Sequence, residues 1–160
     1  MRRIWLAAVA LLLAGCGVDP SGVTDGGEAP TGVAPGVTLY FIDDHDRLRP
    51  QLRPTGRLGD ISDALALLLD GPGGSGMRTG IGPVGVTRVI VDVTPGLIHL
   101  RVPLATYEVT PLGVDQIVCT ALGVHVQGGG SRTTRVQVTF TTATPESDKH
   151  RTCPLTSSGR

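Results

Sequence analysis

Hydrophobic residues recur with two different periods along this chain, and the periods predict where strands and helices lie. Alternation of apolar and polar residues places successive side chains on opposite faces of a strand. This pattern predicts strands over residues 37–42, 87–93, 97–102 and 135–141. The turn Thr94-Pro95-Gly96 separates the second of these from the third, which indicates a hairpin. A short returning strand through Leu48 and Leu52 is interrupted by prolines, so it is expected to be at most an edge strand.

Two stretches show the helical period, each with one apolar stripe. In the first, Asp60 can cap the N-terminus, and Gly71 followed by a proline would end the helix. Its stripe consists of Ile61, Ala64, Leu65, Leu68 and Leu69. In the second, Thr110 can act as the cap with a proline at the first helical position, and Gly123 is expected to end the helix. Its stripe consists of Val114, Ile117, Val118, Ala121 and Leu122.

The predicted order is strand, helix, strand, strand, helix, strand, which makes the fold class α+β (β-α-β-β-α-β). We expect a mostly antiparallel, open-faced sheet with both helices packed on one face. The polar residues of the other face would be either solvated or used to bind a protein or another copy of the chain. Its arginines have no matching acids, which favours binding. The candidate binding residues on this face are Tyr40, His99, Arg101, Arg135 and Gln137.

The N-terminal residues have the layout of a secretory signal. Arg2 and Arg3 precede an apolar run over residues 4–13, which is shorter than the about 20 residues that a membrane span needs. The next residues complete Leu13-Ala14-Gly15-Cys16, which resembles a bacterial lipobox, the motif at which lipoprotein signals are cleaved. The resemblance implies that Cys16 becomes the first mature residue and carries acyl chains. These would anchor the protein to the cell membrane on its extracytoplasmic face. An ordinary signal peptide with an incidental cysteine is the alternative.

Four segments are therefore predicted along the chain. Residues 1–15 are the signal peptide, residues 16–36 the lipidated cysteine with a flexible linker, residues 37–143 the folded domain, and residues 144–160 a polar C-terminal tail. The linker is rich in Gly, Pro, Ser, Thr and Asp and has no hydrophobic period, so it is expected to be a flexible tether. Twenty such residues reach about 25 Å, which would hold a domain clear of lipid headgroups.

The composition of the chain mainly excludes classes of function, nucleic-acid binding above all. The chain has 14 basic and 14 acidic residues, and residues 1–15 contain two of the basic ones, so the remainder has a formal net charge of −2. A nearly neutral chain has no electrostatic reason to bind nucleic acid. Four aromatic residues remain outside the signal, which is too few for a platform on which bases stack. The expected partners are therefore the membrane, through the lipid anchor, and an envelope protein or a second copy.

Two cysteines remain if Cys16 is acylated, and an oxidising compartment favours a bridge between them. A disulfide between Cys119 and Cys153 would close a loop of about 35 residues and contribute about 3–4 kcal/mol of stability. Two free, partly buried thiols are the alternative.

No set of residues has the spacing of a catalytic or metal site. The histidines lack a helical i, i+4 pair and a cysteine partner at zinc spacing. Residues 71–76 formally satisfy GxGxxG, but they follow a helix, whereas the dinucleotide motif follows a strand. The acidic turn at residues 43–46 lacks the glycine and the bidentate glutamate of a calcium loop. We expect no enzyme activity, no cofactor and no metal. A hydrolase is the least favoured alternative.

Three segments carry a resemblance to a known family. With the predicted order of elements, Val37–Phe41, Leu67-Leu68-Leu69-Asp70-Gly71-Pro72 and Met77-Arg78-Thr79-Gly80-Ile81-Gly82-Pro83 resemble the GerMN domain, which is named for sporulation and spore germination. The likeness covers about residues 37–122. Met77 stands where the family has leucine, and Gly82 separates Ile81 from Pro83. The resemblance implies a non-catalytic module that binds or assembles within the cell envelope, in sporulation or signalling. A cell-wall or small-ligand binding module is the alternative.

Overall fold

The computed structural model describes residues 36–85 and 87–156, and this part of the chain has the predicted α+β class. The strands are β1 (Gly36–Ile42), β2 (Leu48–Pro54), β3 (Ile90–Thr94), β4 (Leu97–Arg101), β5 (Arg135–Thr139) and β6 (His150–Arg151). The α-helices are α1 (Ile61–Leu69), between β2 and β3, and α2 (Pro111–Gln127), between β4 and β5. Short 3₁₀ helices cover Thr106–Glu108 and Pro145–Asp148. The signal segment, Cys16 and nearly all of the linker lie outside the described residues.

The strands form two sheets, whereas the sequence predicted one layer. β1 and β2 pair antiparallel over seven residues each, so the returning strand is longer than expected. The larger sheet has the order β3-β4-β5-β6, in which β4 and β5 are parallel and the other pairs are antiparallel. β2 tolerates its two prolines because β1 is its one partner strand in the described chain, which leaves its other edge without a ladder.

β1 stays apart from the larger sheet because α2 occupies its second edge. The Tyr40 N–H donates to Thr120 Oγ1 at 3.2 Å, and Gln116 Nε2 donates to the Tyr40 carbonyl at 2.9 Å. Gln116 and Thr120 are four residues apart, so both project from the same side of α2, and both are completely buried. Further along β1, Ile42 and Arg78 exchange two backbone hydrogen bonds of 2.9 Å.

The segment over residues 77–83 fastens β1 to the beginning of α2. The Gly80 N–H donates to Gln116 Oε1 at 2.7 Å, and the Gly80 carbonyl accepts from the Thr110 N–H at 2.8 Å. A Cβ at Gly80 would overlap Thr110 Oγ1, which caps α2, and a Cβ at Gly113 would overlap the Gly80 carbonyl. The two glycines therefore let the loop and the helix approach with no side chain between them.

Both helices begin where the sequence predicted. The Asp60 carboxylate caps α1 by accepting from the Asp63 N–H at 2.8 Å. The Thr110 hydroxyl caps α2 by accepting from the Gly113 N–H at 3.1 Å. The apolar stripes of both helices are buried, as the spacing indicated.

The prediction that Gly123 ends α2 is wrong, because the helix continues to Gln127. Gly123 lies beside β1: a Cβ added there would lie 3.6 Å from Cε2 of Tyr40, an ordinary contact distance. The strand predicted from residue 87 also begins later, at Ile90.

The segment after β5 contributes to the fold, where the sequence predicted a polar tail. β6 pairs antiparallel with β5, with His150 opposite Gln137. The predicted bridge between Cys119 and Cys153 is present, with a Cα–Cα distance of 4.7 Å, and both residues are buried. Because Cys119 lies on α2, the disulfide holds this end of the chain against that helix.

The larger sheet has one buried face and one face toward solvent. Ile98 and Leu100 of β4 and Val136 and Val138 of β5 are at most 1% exposed and belong to the hydrophobic core. Helix α2 contacts β5, and α1 contacts β3. The residues that alternate with the buried row therefore form the outer surface of this sheet.

Candidate functional site

The outer surface of the larger sheet, called the open face below, is the surface on which the sequence placed its candidate residues. Strand pairing aligns its side chains in three rows. These rows are Ile90–Arg101–Thr139, Asp92–His99–Gln137–His150 and Thr94–Leu97–Arg135. The two-residue turn Pro95-Gly96 fixes the register of β3 against β4, and Gly96 has the positive φ of 80° that this turn requires.

Four of the five predicted binding residues share the open face: His99, Arg101, Arg135 and Gln137. The fifth, Tyr40, lies on β1 in the smaller sheet. The prediction that Tyr40 belongs to the same face is therefore wrong. The prediction fails because the edge of β1 bonds to side chains of α2, where a strand of the larger sheet was expected.

Two of the four residues on the open face are held by neighbours. His99 Nε2 lies 2.8 Å from Thr139 Oγ1, within hydrogen-bond distance. Gln137 Nε2 donates to the carbonyl of the buried Ser147 at 2.9 Å. Ser147 belongs to the second 3₁₀ helix, so the Gln137 amide fixes that helix beside β5. Gln137 consequently has a structural role.

Arg101 and Arg135 are the residues of the open face that remain available for a partner. Both are exposed, and neither has an ion-pair partner among residues 36–85 and 87–156. Arg101 aligns with Thr139, four residues along β5 from Arg135. At about 3.3 Å per residue, the two backbone positions are about 13 Å apart along the strands. Guanidinium groups at this spacing can bind two separate carboxylates of one partner.

The sequence argument missed two further residues of the open face. Ile90 is 53% exposed and lies opposite Arg101 on the neighbouring strand. Asp92 is exposed and lies opposite His99, so the face contains one acid after all. The register set by the two-residue turn was the signal that could have found both, because it makes Ile90, Asp92 and the arginines share one face.

The acidic turn between β1 and β2 brings potential ligand atoms of Asp43, Asp44 and His45 within 4.8 Å of one another. The Asp43 carboxylate is already engaged, since it accepts from the backbone N–H groups of His45 and Arg47 and from the Arg49 side chain, each at 2.9 Å. The Arg49 hydrogen bond and the two backbone bonds hold the pKa of Asp43 well below its usual range. These bonds give the turn a structural role.

A pocket of about 530 Å³ lies beside the disulfide and is called the disulfide pocket below. Leu122, Gly123 and Val126 of α2 contribute to its lining, with Cys119 and Cys153. The lining also includes Tyr40 and Thr38 of β1, Gln127 at the end of α2, Arg132 before β5, and Leu155 and Thr156 after the bridge. Burial raises the pKa of the Tyr40 hydroxyl, so this group stays neutral at ordinary pH and can donate or accept a hydrogen bond. Tyr40, which the sequence assigned to another surface, belongs to this pocket.

Within the described part of the chain, no helix is long and apolar enough to cross a membrane. The open face and the disulfide pocket each present charged or polar side chains that could bind a partner or a ligand. Comparison of the chain with protein-family models, with curated proteins and with solved structures finds no match.

Proposed function

We propose that this chain is a non-catalytic envelope lipoprotein, anchored by acylated Cys16, whose folded domain binds an acidic surface of another envelope protein. The observation that carries the proposal is the pair Arg101 and Arg135, exposed on the open face without ion-pair partners among the described residues. The lipobox-like residues 13–16 support the membrane attachment. The resemblance to GerMN domains supports a role in assembling an envelope complex, in sporulation or signalling.

The segments that carry the GerMN resemblance have structural roles in this chain. At the end of α1, the carbonyl of Gly71 accepts from Arg53 Nη2 at 3.1 Å. The segment over residues 77–83 bonds β1 on one side and the beginning of α2 on the other. These residues build the scaffold, so we assign partner recognition to the open face, whose residues lie outside all three segments.

The charges of the open face favour a different protein over a second copy as the partner. Each copy would bring two unpaired arginines and one acid, Asp92, to the contact, and two such faces would place like charges opposite each other. Like charges in one interface oppose association. Ile90 adds an exposed apolar contact next to Arg101, a combination that is common in protein interfaces.

Photo-crosslinking in the producing cell tests this proposal. The full chain carries p-benzoylphenylalanine in place of Ile90, and the crosslinked product is identified by mass spectrometry. The test variant is Arg101→Glu/Arg135→Glu. Reversal of both charges should lower the crosslink yield at least about tenfold, which corresponds to about 1.4 kcal/mol. The control variant is Arg57→Glu/Arg132→Glu, which makes the same change in net charge with exposed arginines outside the open face.

The proposal is supported when one acidic envelope protein is captured by the parent and the control and lost in the test variant. Equal yields from the test variant and the parent would overturn it. A product that contains two copies of this chain and nothing else would overturn the choice of partner and favour self-association.

The lipid anchor is tested separately, so the two parts of the proposal can fail independently. Cells are fed an alkyne-tagged fatty acid, and the purified chain is examined for the label. Cys16→Ala should remove the label and release the chain from the membrane fraction, whereas Cys119→Ala/Cys153→Ala should keep the label. Retention of label by Cys16→Ala would contradict the anchor and leave the open face untouched.

A further inference from the structure

We propose that the disulfide pocket binds a small monocarboxylate with an apolar body. This site is distinct from the open face, since Tyr40, which helps to form it, lies in the smaller sheet. Its volume of about 530 Å³ falls within the about 300–1,000 Å³ of pockets that hold small molecules.

The apolar part of the ligand follows from the helix that lines the pocket. Leu122 and Val126 present aliphatic side chains, and Gly123 between them lies beside the Tyr40 ring. The buried disulfide lies behind this lining, and Leu155 is 46% exposed at the same pocket. An apolar ligand body here would remove Leu155 and the accessible part of Val126 from water, which is the main source of affinity in such pockets.

The charges around the pocket indicate that the ligand carries a carboxylate. Arg132 is the one charged residue of the lining, which contains no Asp or Glu. Arg132 has no ion-pair partner among the described residues, so its guanidinium is available for an anion. A planar guanidinium fits a carboxylate through two parallel hydrogen bonds. The neutral hydroxyls of Tyr40 and Thr38 offer further hydrogen bonds to the same head group.

The disulfide keeps in place the wall of the pocket that Leu155 and Thr156 form. Beyond Cys153 the chain turns, and the N–H and Oγ1 of Thr156 both donate to the Cys153 carbonyl, at 3.0 Å and 2.8 Å. This turn sets Leu155 at the pocket. Because the bridge ties Cys153 to α2, the wall and the helix are held at a fixed distance from each other.

The experiment uses the two tyrosines of the chain, Tyr40 and Tyr107. The full chain is labelled with 3-fluorotyrosine and titrated with octanoate, and ¹⁹F spectra are recorded. The signal of Tyr40 should shift and saturate. The signal of Tyr107, which is 91% exposed, should stay in place and serve as an internal reference for effects that are not specific to the pocket.

Two comparisons test the carboxylate itself. Octan-1-ol has the same chain without the charge and should bind at least about tenfold more weakly than octanoate, because it forms no charge-assisted pair with Arg132. Arg132→Gln should weaken octanoate binding by a similar factor, Arg132→Lys should restore part of it, and Arg57→Gln, at an exposed arginine outside both surfaces, should leave it unchanged. Arg132 is exposed and has no described ion pair, so these variants should fold as the parent does.

Three results would overturn the proposal. The first is no shift of the Tyr40 signal with octanoate up to about 10 mM, well above the millimolar Kd of a weak site. The second is equal binding of octanoate and octan-1-ol. The third is equal binding by the parent and Arg132→Gln.

Discussion

Gln116 gives the sharpest test of how the fold is held together. Its side chain is completely buried, with Nε2 donating to the Tyr40 carbonyl at 2.9 Å and Oε1 accepting from the Gly80 N–H at 2.7 Å. One amide therefore satisfies two backbone groups that are far apart in sequence. Substitution with leucine, which has a similar size, removes both bonds with little change of volume.

The expected loss of stability follows from the two backbone groups that Gln116→Leu would leave unpaired. The Tyr40 carbonyl cannot turn to β2 for a donor, because the residue opposite is Pro50, which has no N–H. The Gly80 N–H lies where loop and helix meet without a side chain between them. Each unsatisfied buried group costs about 1–3 kcal/mol, and the buried leucine offsets part of that cost. We expect Gln116→Leu to lower the free energy of unfolding by about 2–4 kcal/mol.

Urea unfolding followed by circular dichroism measures this loss, with the disulfide intact in every sample. Gln127→Leu is the control, because Gln127 lies on the same helix but is exposed, and its effect should stay within about 0.5 kcal/mol. The m-values of the three proteins should agree. A Gln116→Leu protein within about 0.5 kcal/mol of the parent would refute the argument that this amide secures the edge of β1.

Three further predictions concern stability. Gly113→Ala should prevent folding or cost several kcal/mol, because its Cβ would overlap a backbone carbonyl. Gly123→Ala, in contrast, meets ordinary contacts and should stabilise α2 by about 0.5–1 kcal/mol. Thermal unfolding of the two variants and the parent measures both effects. Reduction of the Cys119–Cys153 bridge, which spans 34 residues, should lower stability by about 3–4 kcal/mol in urea with and without reductant. Folding lowers the pKa of Asp43, so the contribution of this carboxylate to stability is complete above its unfolded pKa near 4 and is lost as the pH falls through the lower folded value. The destabilisation caused by Asp43→Asn should therefore be constant from about pH 5 to 8 and should shrink below about pH 4.

Local chemistry in the sequence was sufficient to place most of the elements. Asp60 and Thr110 could be recognised as helix caps because capping depends on one side chain and the next three residues. Alternation located the buried row of β5, because a strand with one buried face repeats every two residues. The end of α2 was misplaced because a glycine commonly follows a helix, yet this helix continues past Gly123 beside the Tyr40 ring, a contact that no local pattern contains.

The division into two sheets could not be predicted, because it depends on contacts between distant residues. Tyr40 is 76 residues from Gln116 and 80 from Thr120, and the two polar side chains interrupt neither the apolar stripe nor the length of α2. Without those contacts, β1 would be expected to pair with another strand. The same missing information moved Tyr40 from its pocket to the open face in the sequence prediction.

Helix α2 connects both candidate surfaces to the scaffold, but it does so at different places. Gln116 and Thr120 bond the edge of β1, while a different set of residues on the helix, Cys119, Gly123 and Val126 among them, lines the disulfide pocket. The open face has its arginines on β4 and β5, the inner strands of the larger sheet, so it does not need the disulfide to keep its shape. The wall formed after Cys153, in contrast, is attached to α2 through that bridge. A reducing environment would therefore open the pocket while the arginines kept their spacing, and ligand binding and partner binding would respond to it separately.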